Sequence, residues 1–140
     1  MATEIKIKNL PIGFQSIITN GKHSIVGDEP IKSRGTDLGL APTELVLAGL
    51  AMCKVATVRH IARKKGWEIG NVEGHLEQKV GGRRNALRMD VKVRLEIEGD
   101  LTDEQRAELL YEADNCYIHR MLKGEWNIEA AQEVEEEIFA

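Results

Sequence analysis

Pro42-Thr43-Glu44-Leu45-Val46-Leu47-Ala48-Gly49-Leu50-Ala51-Met52-Cys53 is the stretch on which the fold turns. Proline has a fixed φ and no N–H, so it suits the first position of a helix, where no donor is needed. The helix predicted from Pro42 runs to about Lys65, because Arg63, Lys64 and Lys65 complement the C-terminal dipole and Gly66 can take the left-handed stop. Its first half is apolar on every side, unlike an amphipathic surface helix, and is shorter than the roughly 20 residues needed to span a bilayer. A helix of that kind has to be buried all round. One small sheet covers one face, so a second copy of the chain is expected over the other, with Gly49 and the alanines allowing close approach.

Upstream, Glu4 to Lys8 alternates polar and apolar residues, Phe14 to Thr19 continues in an extended pattern, and Asn20-Gly21 is a two-residue turn signal before Lys22 to Val26. Antiparallel strands are predicted there, followed by a loop rich in glycine and charge from Gly27 to Ala41. Downstream, Val72 to Val80 and Leu87 to Ile97 read as the strands of a hairpin closed by Gly81-Gly82-Arg83-Arg84-Asn85. Thr102 and Gln105 form a capping box that opens a second helix, in which Leu109, Leu110, Ala113, Cys116, Tyr117 and Met121 recur at helical spacing until Gly124. Trp126, Ile128 and Ala130 suggest a final strand, and Glu135-Glu136-Glu137 a solvated tail. This order of elements predicts an α+β fold in one domain over residues 1–140: N-terminal strands, a long buried helix, a hairpin, a second helix and a last strand.

Composition narrows the class. With 42% hydrophobic and 30% charged residues the chain is globular rather than disordered, and a net charge of -4 argues against a phosphate-binding surface, so no nucleic-acid partner is expected. The start carries no secretory signal pattern, so a cytoplasmic protein without a membrane partner is expected. In a reducing compartment, two cysteines are packing residues, metal ligands or redox-active thiols rather than a permanent disulfide.

Cys53 lies within the apolar helix, where a small hydrophobe filling space is the plain alternative to chemistry. A reactive cysteine needs its thiolate, hence a positive charge or donor nearby. His60 is on about the same face but roughly 10 Å along the axis, so the activating group is expected from another element. Cys116 opens Cys116-Tyr117-Ile118-His119-Arg120, which at helical spacing sets His119 beside the thiol and Arg120 one turn on. A metal could draw on Cys53, Cys116, His119 and His60, yet no paired CxxC or HxxxH supports that, and no metal is expected. His23 and His75 read as surface residues of strands. Phosphate-binding glycine loops and nucleophile elbows are absent from the sequence.

Gly35-Thr36-Asp37, Ala41 through Cys53 and Thr57-Val58-Arg59 resemble one block of the OsmC/Ohr family of peroxide-stress proteins, and Ala113-Asp114-Asn115-Cys116-Tyr117-Ile118-His119-Arg120 resembles its second cysteine motif. The resemblance implies an intertwined homodimer with long central helices wrapped by sheets. It implies a thiol peroxidase for organic hydroperoxides, and in some members hydrogen peroxide, with no bound cofactor and an external dithiol as reductant. Carried over, Cys53 is the peroxidatic thiol, Cys116 resolves it as a disulfide, and Glu44 is the glutamate that holds an arginine over the reactive sulfur. On an unbroken helix Glu44 would lie opposite Cys53 and roughly 13 Å along the axis, which requires a break or a partner's site, or leaves Glu44 as a favourable charge at the helix start. Relatives keep the arginine in the N-terminal strands, but residues 1–30 contain none; Arg34 and Arg59 are the substitutes, with His119 as a further orienting group. Tyr117 stands where relatives often carry proline. The chain is thus a divergent branch, and the alternative to a peroxidase is a non-enzymatic module of the same fold that senses oxidation or binds a small hydrophobic ligand.

Overall fold

The computed structural model describes residues 2–133. These fall into two compact units, residues 2–46 with 126–133 and residues 47–125.

In the first unit, β1 (Lys6–Asn9), β2 (Ser16–Thr19) and β3 (Ser24–Gly27) form an antiparallel sheet in sequence order. The turn between β2 and β3 differs from the two-residue expectation: strand pairing closes at Thr19 with Ser24, leaving residues 20–23 as the loop. Asn20 accounts for this, since its Oδ1 accepts the backbone N–H groups of both Lys22 and His23 and so competes with the tighter hairpin. The loop that follows, with a 3₁₀ turn at Ile31–Ser33, is organised on the buried Asp28. Its Oδ1 accepts the N–H groups of Phe14, Glu29 and Thr36, and its Oδ2 accepts the Thr36 hydroxyl and the Leu38 N–H. Burial alone would raise the Asp28 pKa; the Thr36 hydroxyl and the N–H groups of Leu38, Glu29 and Thr36 outweigh it and bring it down to about 2.

The long helix α1 spans Pro42–Lys65 and ends as the sequence predicts. Gly66 takes φ +74°, Trp67 N–H bonds Ala62 C=O and Gly66 N–H bonds Arg63 C=O, the paired bonds of a Schellman stop. At 24 residues, with an 18-residue window of mean hydropathy 1.5, α1 is long and apolar enough to cross a membrane, which corrects the shorter estimate made from residues 42–53 alone. A core helix of a globular protein has the same properties, and any such window contains Lys54 and Arg59.

In the second unit, β4 (Val72–Arg83) and β5 (Ala86–Ile97) form a twelve-residue hairpin. Its turn is Arg84-Asn85 rather than the five residues expected, because Gly82 at φ +81° lets β4 continue to Arg83. The core gathers Val58 and Ala62 of α1, Ile97, and Leu109 and Ala113 of α2 (Asp103–Asp114), with Trp67, Leu95 and Leu101 packed around them. Arg106 ties the start of α2 to the end of the hairpin by donating to the carbonyls of Ile97 and Gly99 at 2.8 and 2.6 Å.

Two expectations fail here. The predicted second helix is two: after α2 the chain breaks at Asn115 and Cys116, and α3 (Tyr117–Lys123) begins anew. Asp114 and Asn115 are weak helix formers, and Cys116 turns extended at φ -63°, ψ 154°. The stretch 126–133 forms no strand in this chain: the helix is stopped at Gly124 by extended backbone, and Trp126 and Ile128 stand largely exposed rather than alternating into a sheet. The run Glu135-Glu136-Glu137 lies outside the described residues. Within the single chain the apolar α1 is also not covered all round, with Val46 54% and Met52 73% exposed.

Candidate functional site

The break between α2 and α3 builds the site. As N-cap of α3, Cys116 points its sulfur back along the first turn, and the His119 N–H donates to it at 3.4 Å. The preceding amide, Ile118 N–H, donates at 3.4 Å to the sulfur of Cys53 on α1. Consecutive amides of one turn thus hold two sulfurs that are 63 residues apart in sequence, near enough for the Cys53 thiol to act on the titration of Cys116. Both are free thiols, Cys53 partly exposed and Cys116 buried at 2% exposure.

The cation beside them is one that the motifs do not announce. Lys54 is 1% exposed, and its Nζ donates to Ala113 C=O at 3.0 Å and to His119 Nδ1 at 2.8 Å, with the exposed Asp114 carboxylate 4.0 Å away. With Lys54 as donor, Nδ1 of His119 is the acceptor and the ring proton sits on Nε2. Burial, then the charges of Lys54 and Lys123, lower the His119 pKa against the opposing pull of Asp114, so the imidazole is neutral at pH 7. Burial leaves the Cys116 thiol raised above its ordinary value; the His119 N–H and the Lys54 charge draw it back only in part, and the neighbouring Cys53 thiol adds to the rise.

Of the residues named from sequence, the fold brings Cys53, Cys116 and His119 together. Arg59 is occupied elsewhere, its guanidinium donating to Ile69 C=O at 3.3 Å at the far end of α1. Arg34 and Glu44 belong to the other unit. Arg34 closes the 3₁₀ turn in left-handed conformation, φ 68°. Glu44 Oε1 accepts the Ala41 N–H at 2.9 Å, a capping bond, and α1 runs on from it without a break. His60, His23 and His75 are exposed. Among the described residues, no three His, Cys, Asp or Glu side chains cluster so as to hold a metal. Lys54 was legible after all by spacing: Leu50, Lys54, Val58 and Ala62 recur every four residues and are the buried stripe of α1.

A two-thiol site on this frame has a class. The model of OsmC-like proteins matches residues 35–131, and the chain belongs to that family. Solved structures of the same fold include an OsmC-like protein of Mycoplasma pneumoniae, 20% identical over 89% of both chains with a TM-score of 0.75. An organic hydroperoxide resistance protein OsmC of Legionella pneumophila is 20% identical over 89% of this chain and 90% of its own, TM-score 0.67. An organic hydroperoxide resistance protein of Elizabethkingia anophelis with thiocyanate bound is 16% identical over 89% of both chains, TM-score 0.66. A comparison with curated protein sequences gives no match.

Proposed function

We propose that this protein is a thiol peroxidase that reduces organic hydroperoxides. The observation that carries the reading is the pair of thiols bonded to consecutive amides of one helical turn, in a chain of the OsmC family. Cys53, the more accessible sulfur, attacks the distal peroxide oxygen as its thiolate. The O–O bond breaks, the alkoxide leaves as the alcohol after taking a proton, and Cys53 becomes a sulfenic acid. Cys116 then attacks that sulfur, expelling water and closing a Cys53-Cys116 disulfide, which an external dithiol reduces. No bound cofactor enters this cycle. The hydroperoxide resistance proteins of Legionella and Elizabethkingia share the fold and lend the substrate class.

The working form in this reading is a soluble cytoplasmic homodimer. Val80, Leu87, Met89 and Val93 share one face of the hairpin and are exposed in the single chain, as are Val46 and Met52 of α1. Isolated apolar residues on a surface are ordinary, but a contiguous hairpin face of this kind marks an interface. Light scattering at micromolar concentration reports a dimer on this account, and a well-folded monomer would count against it.

For the activity, purified protein is mixed with cumene hydroperoxide and a dithiol. Wild type consumes peroxide over many turnovers and Cys53→Ser does not. Equal consumption by the variant would remove Cys53 as the nucleophile.

A further inference from the structure

We infer that Lys54 serves the reductive half of the cycle: it holds the Cys116 sulfur as the leaving group of the Cys53-Cys116 disulfide, so that a thiol reductant attacks Cys53 and forms its mixed disulfide there. The assignment rests on the proposed disulfide but not on what oxidises it.

The geometry makes the two sulfurs unequal. Lys54 Nζ and the Cys116 N–H donate to the same acceptor, Ala113 C=O, at 3.0 and 3.3 Å, which sets the ammonium against the turn that carries Cys116. His119 closes the arrangement from the other side, with its ring accepting from Lys54 at 2.8 Å and its amide donating to Cys116 Sγ at 3.4 Å. Cys53 lies one residue before Lys54 on α1, but helical neighbours diverge by about 100°, so the two side chains leave the helix in different directions. Access runs the opposite way: Cys116 is buried and Cys53 is partly exposed. Incoming thiolate therefore reaches Cys53, while the negative charge released by cleavage appears on Cys116; each sulfur has one amide donor, so it is the buried Lys54 charge acting on Cys116 that separates them.

The step balances. Reductant thiolate forms a bond to Cys53 Sγ as the S–S bond breaks, its electron pair going to Cys116 as thiolate. The second thiol of the dithiol then displaces Cys53, and both protein thiols regain their protons from solvent. Exchange is faster the lower the pKa of the leaving thiol; burial leaves that of Cys116 raised, and the Lys54 charge works against the rise. Other charges near the pair are Asp114, exposed and 4.0 Å from Lys54, and Lys123, which faces His119; neither replaces the buried ammonium.

The test starts from protein oxidised with diamide, so it does not depend on peroxide. Reduction of the disulfide by dithiothreitol is followed in wild type, Lys54→Met and Lys54→Arg. Removing the Lys54 charge raises the Cys116 thiol further and makes it a poorer leaving group, so reduction of Lys54→Met is expected to be slower by roughly three-fold or more, restored largely by arginine. Equal rates in wild type and Lys54→Met would overturn the assignment. A second measurement needs no variant: oxidised wild type is mixed with glutathione, quenched in acid and digested, and the adduct is expected on Cys53. Glutathione on Cys116, or failure of diamide to form the disulfide, refutes the inference. Loss of peroxide consumption with normal exchange at Cys53 would instead refute the peroxidase reading alone.

Discussion

His119→Ala tests the arrangement around Lys54 most directly. The substitution takes away the acceptor at 2.8 Å and leaves a 1% exposed Nζ with Ala113 C=O at 3.0 Å and a carboxylate 4.0 Å away that is itself 75% exposed. A buried charged donor that loses a partner costs about 2 kcal/mol, for want of water to replace it. For a domain of this size that lowers the thermal midpoint by about 6 °C, taking roughly 3 °C per kcal/mol. Lys54→Met removes the demand along with the charge, and Cys116 N–H still bonds Ala113 C=O, so that variant is expected within about 1 kcal/mol of wild type. The double variant should therefore be more stable than His119→Ala alone, with a coupling of about 1 kcal/mol or more. Circular dichroism melts at one fixed protomer concentration provide the measurement, since assembly would otherwise shift the midpoint. Additive losses in the double variant, or an unchanged midpoint in His119→Ala, would refute the reasoning. Acid sharpens the test. Because the folded-state pKa of His119 lies below its ordinary 6.5, the unfolded chain takes up the proton first. Stability is therefore lost as pH falls below about 6.5 and goes on falling until the folded ring is protonated beside Lys54. His119→Gln, whose amide oxygen can accept from Lys54, should lack that decline.

Asp28→Asn is expected to destabilise the loop of residues 28–41, since an amide cannot accept all the bonds that converge on the carboxylate. With a folded pKa near 2 against 3.8, the contribution of Asp28 is complete above about pH 4 and lost as pH falls through 2, so the variant's acid unfolding curve should be flatter across that window. Thr102→Ala removes the hydroxyl that accepts the Gln105 N–H at 3.1 Å while keeping the backbone N–H that donates to Gln105 Oε1 at 2.8 Å, and should cost about 1 kcal/mol in urea unfolding without altering the slope.

Much of this molecule was readable in advance where the signal is local. Pro42, the basic last turn and Gly66 bound α1, Thr102 with Gln105 starts α2, and alternation from Leu87 to Ile97 gives β5. The pairing of Cys53 with Cys116 follows from the motif resemblance, and the place of His119 beside Cys116 from helical spacing. What escaped depends on long-range geometry. Asp28 sits in a charge-rich loop, and nothing in its neighbours says that five donors from Phe14 to Leu38 converge on it. The helix break at Cys116 was hidden because apolar residues kept a helical period across it. Lys54 was overlooked because a lysine in a helix is ordinarily solvated, although its place between Leu50 and Val58 marks the buried stripe. The charge expected from another element stands instead next to Cys53 in sequence, on the same helix.

The cap of α3 has a consequence for how Cys116 is reached. A sulfur is a poor substitute for the oxygen of serine or aspartate at a helix start, and a seven-residue helix gains little from its own backbone bonds. α3 contributes no fully buried residue, so it has less to lose by opening than α1 or α2. Fraying of α3 therefore costs less than unfolding of the whole unit, and Cys116, as its N-cap, is the thiol whose hydrogen bond such fraying breaks first.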